Sequence, residues 1–458
     1  MLAASAQEEL LMGLLNLFHH GEGQEDGTQL PRGFTMGVQD LFRLKDSADP
    51  VVVGRIAGTV RRGDAVYVCN FSDEGAVPVR SAVIGIETGP HQQASIASDC
   101  HVSLCIRSEP GMSVKMGTML YTEEITVKQL HEAYVSALTE VYEADADSFF
   151  KPEREESLSA TDCQELLLLC REKQSDDPLQ HVRAERAAHL LSERVMASAR
   201  IYCVFSRATG EPNLFSRVYS DEKEYHFTHP AVTLLTEPYH SVLAGKFPPD
   251  RFEIREISGK NIENLLGTSF CLDGAAGVTV NYDSVYLPAK MLVPEPDFSN
   301  VPEISRPVMN PDLERWLLMM AQLGSPDTED GKTIYQLYVS FLQRELLKAR
   351  LLVPMKHEGV IPPADKDGKT VLQEGVTLSL ATLDGKYGRP AVRMFTDWKR
   401  LKEGMGEGWE GMVGTVGGMI GQFDCAINFT VREHQSAGCY IGKDFYESFA
   451  GKDPGRAE

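Results

Sequence analysis

Hydrophobic and polar residues alternate over 33–121, and this pattern predicts β-strands. Phe34, Met36 and Val38 alternate with small or polar residues, and short apolar runs follow at regular spacing. Glycine, aspartate, proline and serine separate the runs, as they do between strands. The later runs occupy 51–53, 65–69, 83–86 and 102–106. About six short strands without helices predict a small closed barrel, because closure leaves no exposed strand edge.

From residue 127 onward the apolar residues follow a helical period instead. Val127, Leu130 and Tyr134 share one face of the first predicted helix. Thr161 and Gln164 have the spacing of a capping box and are expected to open the next helix. A further helix and a buried strand follow, so the region after the barrel is predicted to mix helices with strands.

Part of this region matches a later part of the chain after a shift of 150 residues. Asn310-Pro311 and Gly324 predict the start and end of the first helix in the later part. Both stretches contain an apolar helix, an acidic break, a second helix and an apolar strand. Segments with a shared order of elements indicate copies of one folding unit. The aligned identical residues are Asp162, Leu167, Leu168, Ser175, Asp177, Arg194, Ala199 and Arg200, with Asp312, Leu317, Leu318, Ser325, Asp327, Arg344, Ala349 and Arg350.

The charge of the chain narrows the classes of partner. Of the 458 residues, 42% are apolar and 24% charged, which is typical of globular proteins of several domains. The formal charge of −21 argues against nucleic acid and anionic lipid, because the average surface repels phosphate. No apolar run has the length of a membrane span. A protein partner and no membrane are therefore predicted.

The cysteines favour a reducing compartment. They are odd in number, scattered and without a CxxC pair, so neither a zinc site nor a disulfide framework is indicated. The segment 1–20 carries Glu8 and Glu9 and reads as an amphipathic helix and not as a secretion signal. A cytoplasmic protein is predicted. The nine cysteines are Cys69, Cys100, Cys105, Cys163, Cys170, Cys203, Cys271, Cys425 and Cys439.

Candidate catalytic or cofactor motifs are incomplete. His226-x-x-His229, with His240 nearby, has metal spacing but no carboxylate pair, so surface or core histidines are favoured over zinc. The run 406–411 fits G-x-G-x-x-G, yet it follows a helix and carries two carboxylates that would repel pyrophosphate. Cys425 lies in an apolar strand without a neighbouring base. No G-x-x-x-x-G-K-[ST] run is present, so no cofactor, metal or catalytic residue is predicted.

The predicted barrel resembles the second domain of translational GTPases such as elongation factor Tu. In those proteins this barrel lies beside a GTPase domain and helps to hold the aminoacyl end of tRNA. Because the phosphate-binding loop is missing here, the resemblance implies the barrel fold and not GTP hydrolysis. The residues that carry the resemblance are 34–42, 54–60, 62–64, 84–87, 94–99 and 116–120.

The last 150 or so residues resemble the SseB family of bacterial proteins. The segments that carry this resemblance are 346–354, 388–398, 421–428 and 441–445. A degenerate version of the same pattern occurs earlier in the chain, at 210–212, 219–221 and 277–281. One departure is Asn428-Phe429, where the family usually has Asn-Pro. The resemblance implies a fold and no particular reaction. The candidate binding residues taken from it are Gly388, Pro390, Phe395, Thr396, Trp398 and Asn428.

The predicted architecture is multidomain α+β: a small closed β-barrel followed by two α+β units. The expected divisions are an N-terminal helix and acidic linker at 1–30, the barrel at 31–123, a degenerate SseB-like unit at 124–305, and an SseB-like domain at 306–458.

Three hypotheses for function remain open. The first is a non-catalytic adaptor that binds other proteins through the barrel and the tandem units. The second is a translation accessory that contacts RNA or a ribosomal protein, which a basic stripe on the barrel would favour. The third is an enzyme with an unfamiliar site in the repeat. The arginines that would form the stripe are Arg55, Arg61, Arg62, Arg80 and Arg107.

Overall fold

The computed structural model describes residues 33–44, 47–123, 125–173, 178–220, 225–302, 305–359, 375–385, 388–429 and 437–451. The predicted N-terminal helix and linker (1–30) lie outside these residues. Within the described ranges, none of the helices combines the length and apolar composition that crossing a bilayer requires.

The N-terminal part is a closed antiparallel β-barrel, as predicted. Six of its strands form a ring in the order β1-β9-β4-β5-β8-β3, and pairing of β1 with β3 closes it. The short strands β2, β6 and β7 pair along its sides. The nine strands are β1 (Phe34–Gly37), β2 (Asp40–Arg43), β3 (Pro50–Arg61), β4 (Ala65–Cys69), β5 (Val79–Glu87), β6 (Gln93–Ala94), β7 (Ile96–Ser98), β8 (His101–Ile106) and β9 (Met119–Tyr121).

Alternating side chains fill the interior of this barrel. Phe34, Val52, Ile56 and Leu104 are almost completely buried in one hydrophobic cluster. At the closing pair, Gly58 has φ +95°, and a Cβ atom there would lie 2.2 Å from a backbone oxygen of β1's neighbour, Gly33. Only glycine tolerates both conditions, so it lets the first and third strands meet.

A helical layer joins the barrel to the rest of the chain. It comprises α1 (Val127–Asp145), a 3₁₀ turn (Ala146–Phe150), α2 (Pro152–Glu155), α3 (Ala160–Glu172) and α4 (Pro178–Ala197). Leu130 and Tyr134 of α1 pack against Phe71 and Met119 of the barrel.

The predicted cap of α3 was wrong by two residues. Ser159, and not Thr161, caps the helix, and its hydroxyl accepts from the backbone N of Asp162 at 3.0 Å. The hydroxyl of Thr161 instead donates to the hydroxyl of Thr236 at 3.0 Å, and Thr236 lies 75 residues later in the chain. A tertiary contact therefore takes the hydroxyl that the sequence pattern assigned to a local cap.

The next elements build a mixed sheet in the order β15-β10-β14-β16-β17. Strands β14 and β16 are parallel and the other pairs of this path are antiparallel. The elements are β10 (Arg200–Ser206), β11 (Leu214–Phe215), β12 (Val218–Ser220), β13 (Tyr225–Phe227), β14 (Ala231–Leu235), α5 (Glu237–Leu243), a 3₁₀ turn (Ala244–Lys246), β15 (Phe252–Ser258), α6 (Lys260–Cys271), β16 (Gly277–Val280), β17 (Tyr282–Pro288) and a 3₁₀ turn (Ala289–Met291).

The C-terminal elements begin with two helices and then build strands again. Asn310-Pro311 opens α7 and Gly324 closes it, as predicted. The elements are α7 (Pro311–Leu323), α8 (Glu329–Lys348), β18 (Leu351–Glu358), β19 (Thr377–Leu380), β20 (Thr382–Leu383), β21 (Ala391–Met394), α9 (Trp398–Met405), β22 (Glu410–Gly414), α10 (Val416–Met419), β23 (Asp424–Ile427), β24 (Cys439–Ile441) and α11 (Lys443–Ala450).

These strands follow the same path as those of the preceding sheet. β22 pairs with β18, an antiparallel bridge between Leu352 and Phe395 joins β18 to the end of β21, β23 lies parallel to β21, and β24 pairs antiparallel with β23. Each sheet also follows a helical hairpin and has a helix after its central strand. We call 160–288 the first unit and 311–450 the second unit.

The two units share one hydrophobic core. A single cluster of buried side chains extends from Leu138 of α1 through both sheets to Phe449 of α11, while the barrel interior forms a separate cluster. The polar groups described next therefore lie inside a continuous apolar body.

Candidate functional site

The candidate residues chosen from the sequence lie at opposite ends of β21. Thr396 and Asn428 follow the carboxyl ends of β21 and β23 and are buried. Pro390 precedes β21, where its carbonyl accepts from the backbone N of Asp424 at 3.0 Å. Six extended residues, or about 20 Å, separate the two ends.

The structure thus brings some of these residues together and not others. Phe395 is buried beside Thr396, whereas Gly388 lies with Pro390 at the other end. Trp398 begins α9 and is 38% exposed.

A buried hydrogen-bond network joins the two parallel strands of the second unit to α7. Asn428 accepts at Oδ1 from the backbone N of Thr396 (3.1 Å) and donates from Nδ2 to Glu314 Oε2 (2.6 Å). The hydroxyl of Thr396 lies 2.8 Å from the same Glu314 oxygen. Asn428 has φ +53°, a left-handed conformation that asparagine adopts more readily than most residues.

The first unit contains the same arrangement. Asn281, with φ +59°, accepts from the backbone N of Thr236 at 2.8 Å and donates to Gln164 Oε1 at 2.7 Å. Gln164 and Glu314 differ by the 150 residues that align the two stretches of sequence. The sequence analysis did not select these residues as a site, although its ungapped alignment paired Gln164 with Glu314. The residues missed are Gln164, Thr236, Asn281 and Glu314.

Arg400 of α9 lies in a second buried cluster that crosses from one unit to the other. Its guanidinium contacts Asp273 of the first unit at 2.6 Å, and Asp397 and Glu314 of the second unit at 2.6 and 3.0 Å. All four side chains are less than a tenth exposed. On the same helix, Lys399 pairs with Glu211 of the first unit at 2.7 Å.

The charges of this cluster do not balance, because one guanidinium faces three carboxyl groups. Burial raises the pKa of Glu314 to about 7, Arg400 opposes the rise, and Asp397 and Asp273 add to it. Burial likewise raises the pKa of Asp273. Burial alone would lower the pKa of Arg400, but Glu314, Asp273 and Asp397 raise it well above its usual range. A buried cation therefore holds the two units together beside a carboxyl group that titrates near neutrality.

A further buried cluster connects α1 to the first unit. His131 of α1 contacts the hydroxyl of Tyr239, which donates to Glu165 of α3. Tyr134 of α1 donates to Asp162 at 2.6 Å. These side chains are buried, so they join elements and do not face a ligand.

An open groove of about 850 Å³ is lined by residues of the barrel, of the C-terminal part of α1 and of the turn and helix that follow it. Asp40, Arg55 and His101 line its barrel side. The charged residues on the other side are Glu140, Glu143, Asp145, Lys151, Glu153 and Arg154. The last turn of α1 carries no basic residue to offset its carbonyl groups. Five carboxylates and three Lys or Arg side chains line the groove, and Lys151 pairs with Asp145 at 3.7 Å. Carboxylates are thus in excess where the helix dipole is already negative.

The histidines of the candidate metal motif pack against aromatic rings. His226, His229 and His240 each stack on a tyrosine: Tyr219, Tyr286 and Tyr202. Across the ranges that the structure describes, no three His, Cys, Asp or Glu side chains are placed to hold a metal ion.

The glycine-rich run and the candidate cysteine nucleophile lie in the following places in the structure. The run 406–411 connects α9 to β22, so no helix follows it. Burial raises the pKa of Cys425 to about 12, which leaves its thiol protonated at neutral pH.

The barrel arginines are exposed but do not occupy one row. Arg55 lies opposite His101 on the groove side, about 20 Å along β3 from Arg61. Arg80 lies opposite Tyr67 on β4, and Arg107 follows β8, where its backbone N bonds to Ala82.

Comparisons with known proteins give a structural likeness over about a fifth of the chain. No protein-family model matches the chain, and no curated protein is similar to it. Among solved structures, it is similar to the apo form of translation elongation factor SelB from Methanococcus maripaludis, with 21% identity and a TM-score of 0.18. The match covers 22% of this chain and 21% of that one. The SseB resemblance therefore remains a prediction.

Proposed function

We propose that this chain is a non-catalytic adaptor that binds another protein in the groove between the barrel and α1. The observation that supports this best is the contrast between buried and open polar groups. The charged clusters around Arg400 and His131 are closed within the fold and connect its parts. The groove, by contrast, is open, large and lined by charged side chains. Recognition of a chain segment needs such a surface, whereas catalysis needs a reactive group inside it.

The lining of the groove favours a basic segment as its occupant. Among the described residues, Asp40 and Glu153 have no cationic partner and are exposed. Glu140 accepts from Gln39 at 2.5 Å and lies 3.8 Å from His101, so it retains no strong counter-charge. A lysine or arginine side chain of a partner would offset these carboxylates and the end of the α1 dipole.

We further propose that the two units are copies of one SseB-like unit. Their strand paths coincide, and each has an asparagine with positive φ, a threonine and a Gln or Glu in matching places. Stacked copies of one unit give extended binding surfaces, which agrees with a role as an adaptor.

Affinity purification with charge-reversed variants tests the adaptor proposal. Tagged wild-type protein is compared with Asp40→Lys/Glu153→Lys, which reverses both unpaired groove acids. Asp327→Lys/Glu407→Lys is the matched control, because both residues are exposed and lie outside the groove. We expect the wild type and the control to retain the same partner and the groove variant to lose at least about tenfold of it. Equal recovery by both variants would contradict the proposal.

A second candidate function, RNA binding by the barrel, has one observation in its favour. Tyr67 stacks on Tyr121 at 5.7 Å and lies beside Arg80, an aromatic and basic arrangement that suits a single strand. Nuclease treatment of the purified complex separates the two candidates. Protein retained after nuclease supports the adaptor, and loss of all bound material after nuclease supports RNA.

A further inference from the structure

We propose that the Arg400 cluster is a proton-operated junction, which holds the first and second units together while Glu314 carries a proton and loosens when that proton is lost. The inference goes beyond binding of a partner and does not depend on it. Three separate elements meet at this cluster: the loop after α6 with Asp273, the first turn of α7 with Glu314, and the start of α9 with Asp397 and Arg400.

The packing of the junction leaves little room for water. Gly274, with φ +74°, lies so close to α7 that a Cβ atom would be 2.1 Å from the carbonyl oxygen of Pro311. Arg315 donates to the carbonyl of Gly274. Asp273 Oδ2 is buried and has no hydrogen-bond partner among the described residues, and the buried Glu314 Oε1 faces only the guanidinium of Arg400, at 3.0 Å from Nε. Asn428 and Thr396 donate to the other oxygen of Glu314, but both donors are neutral. Ionisation of Glu314 therefore places a third buried negative charge around the one guanidinium of Arg400.

Each charged group near Glu314 can be assigned to an element. Arg400 and Asp397 face it from α9, and Asp273 faces it from the first unit. Cys439 of β24 is also close, and burial, with a smaller contribution from Glu314, raises the pKa of its thiol. On α9, Lys399 is paired with Glu211, and Glu403 lies farther out. On α7 itself, Arg315 is paired with Asp312. Within the described part of the chain, Arg400 is the one cation in direct contact with Glu314, and it is shared with two other carboxylates.

The direction of the pH effect follows from the raised pKa of Glu314. Its pKa in the closed junction is about 7, above the ordinary value of about 4.3 that it regains in an open one. A group of this kind contributes stability at low pH and loses that contribution as the pH rises to its pKa in the closed state. The junction is thus most stable in mild acid. The equilibrium constant for its opening is expected to rise about tenfold between pH 6 and 8.

The first unit shows which side chain can replace Glu314 without titrating. The first unit has Gln164 where the second has Glu314, and Gln164 still accepts from its asparagine. Glu314→Gln is therefore expected to fold with the bonds to Asn428 intact. Glu329→Gln is the matched control, because it removes one carboxylate from the exposed start of α8.

Hydrogen exchange of the full chain, read by mass spectrometry and corrected for intrinsic rates, measures opening of the junction. In the wild type and in Glu329→Gln we expect amides at 272–276 and 397–405 to lose about tenfold protection between pH 6 and 8. In Glu314→Gln this loss is expected to disappear. Persistence of the loss in Glu314→Gln, or its absence in the wild type, would overturn the proposal.

A second variant keeps the test decisive should Glu314→Gln fold poorly. Asp273→Asn removes a carboxylate that raises the pKa of Glu314. The pH at which protection is lost is then expected to fall. An unchanged or higher midpoint would contradict the proton-operated junction.

Discussion

Asn281 and Asn428 show how one residue type meets two demands at one position. Each follows the second of two parallel strands with a positive φ, and each side chain bonds both to the end of the other strand and to a helix. Glycine would satisfy the backbone alone, and glutamine the hydrogen bonds alone.

Replacing Asn428 separates these two contributions. We expect Asn428→Ala to lower the free energy of unfolding by about 2–4 kcal/mol, because it leaves buried polar groups of Thr396 and Glu314 without partners and strains φ. Asn428→Gly loses the same bonds without the strain and is expected to be about 1 kcal/mol more stable than the alanine variant. Urea denaturation measures both. A loss below about 0.5 kcal/mol in Asn428→Ala would show that the network contributes little.

The residues that sequence reasoning missed are those whose role depends on distant partners. An acid in the first turn of a helix, such as Glu314, is ordinarily a solvated residue that favours the helix dipole. Its burial follows from Arg400 and Asp273, which are far away in the chain. Thr396 and Asn428 could be selected from the sequence because they belong to a resemblance, not because their chemistry is visible locally.

At the scale of elements, local sequence patterns predicted individual strands and helices better than they predicted which strands pair. The strand alternation of the barrel and the Asn-Pro and Gly signals of α7 correspond to observed elements. Strand order could not be predicted, because the hydrogen bonds between strands join segments distant in the chain. The cap of α3 was misplaced for the same reason: Thr161 is used by Thr236.

Contact between the loop after α6 and the start of α7 gives a prediction at this scale. Gly274→Ala is expected to cost about 2–4 kcal/mol, since the new methyl group would meet the Pro311 carbonyl and φ is +74°. Gly324→Ala is the matched control: φ is +72°, but nothing lies within 4 Å of the added atom, so only about 1 kcal/mol of strain is expected. Thermal or urea unfolding gives both values. Equal losses would mean that the close approach at Gly274 is unimportant.

At the scale of the whole molecule, the modules are joined in series by buried polar contacts. His131 and Tyr239 connect α1 to the first unit, and Arg400 with Asp273 connects the first unit to the second. In both cases the helix after the central strand of a unit contacts the module that precedes it in the chain.

The shared core predicts that the two units unfold together. All three tryptophans, Trp316, Trp398 and Trp409, lie in the second unit, so their fluorescence reports that unit alone. Exchange of amides in α4 reports the first unit. We expect both probes to change at the same urea concentration, because one hydrophobic cluster spans the units. Two well-separated midpoints would show that each unit is stable without the other.

Closure of the barrel by β1 and β3 restricts how any partner can recognise it. Among the described residues, each of the six ring strands is paired on both sides, so a peptide could join the barrel by β-augmentation only at the short strands β2, β6 and β7. Recognition by the ring strands must therefore use side chains, and a few surface substitutions are able to abolish it without disturbing the backbone.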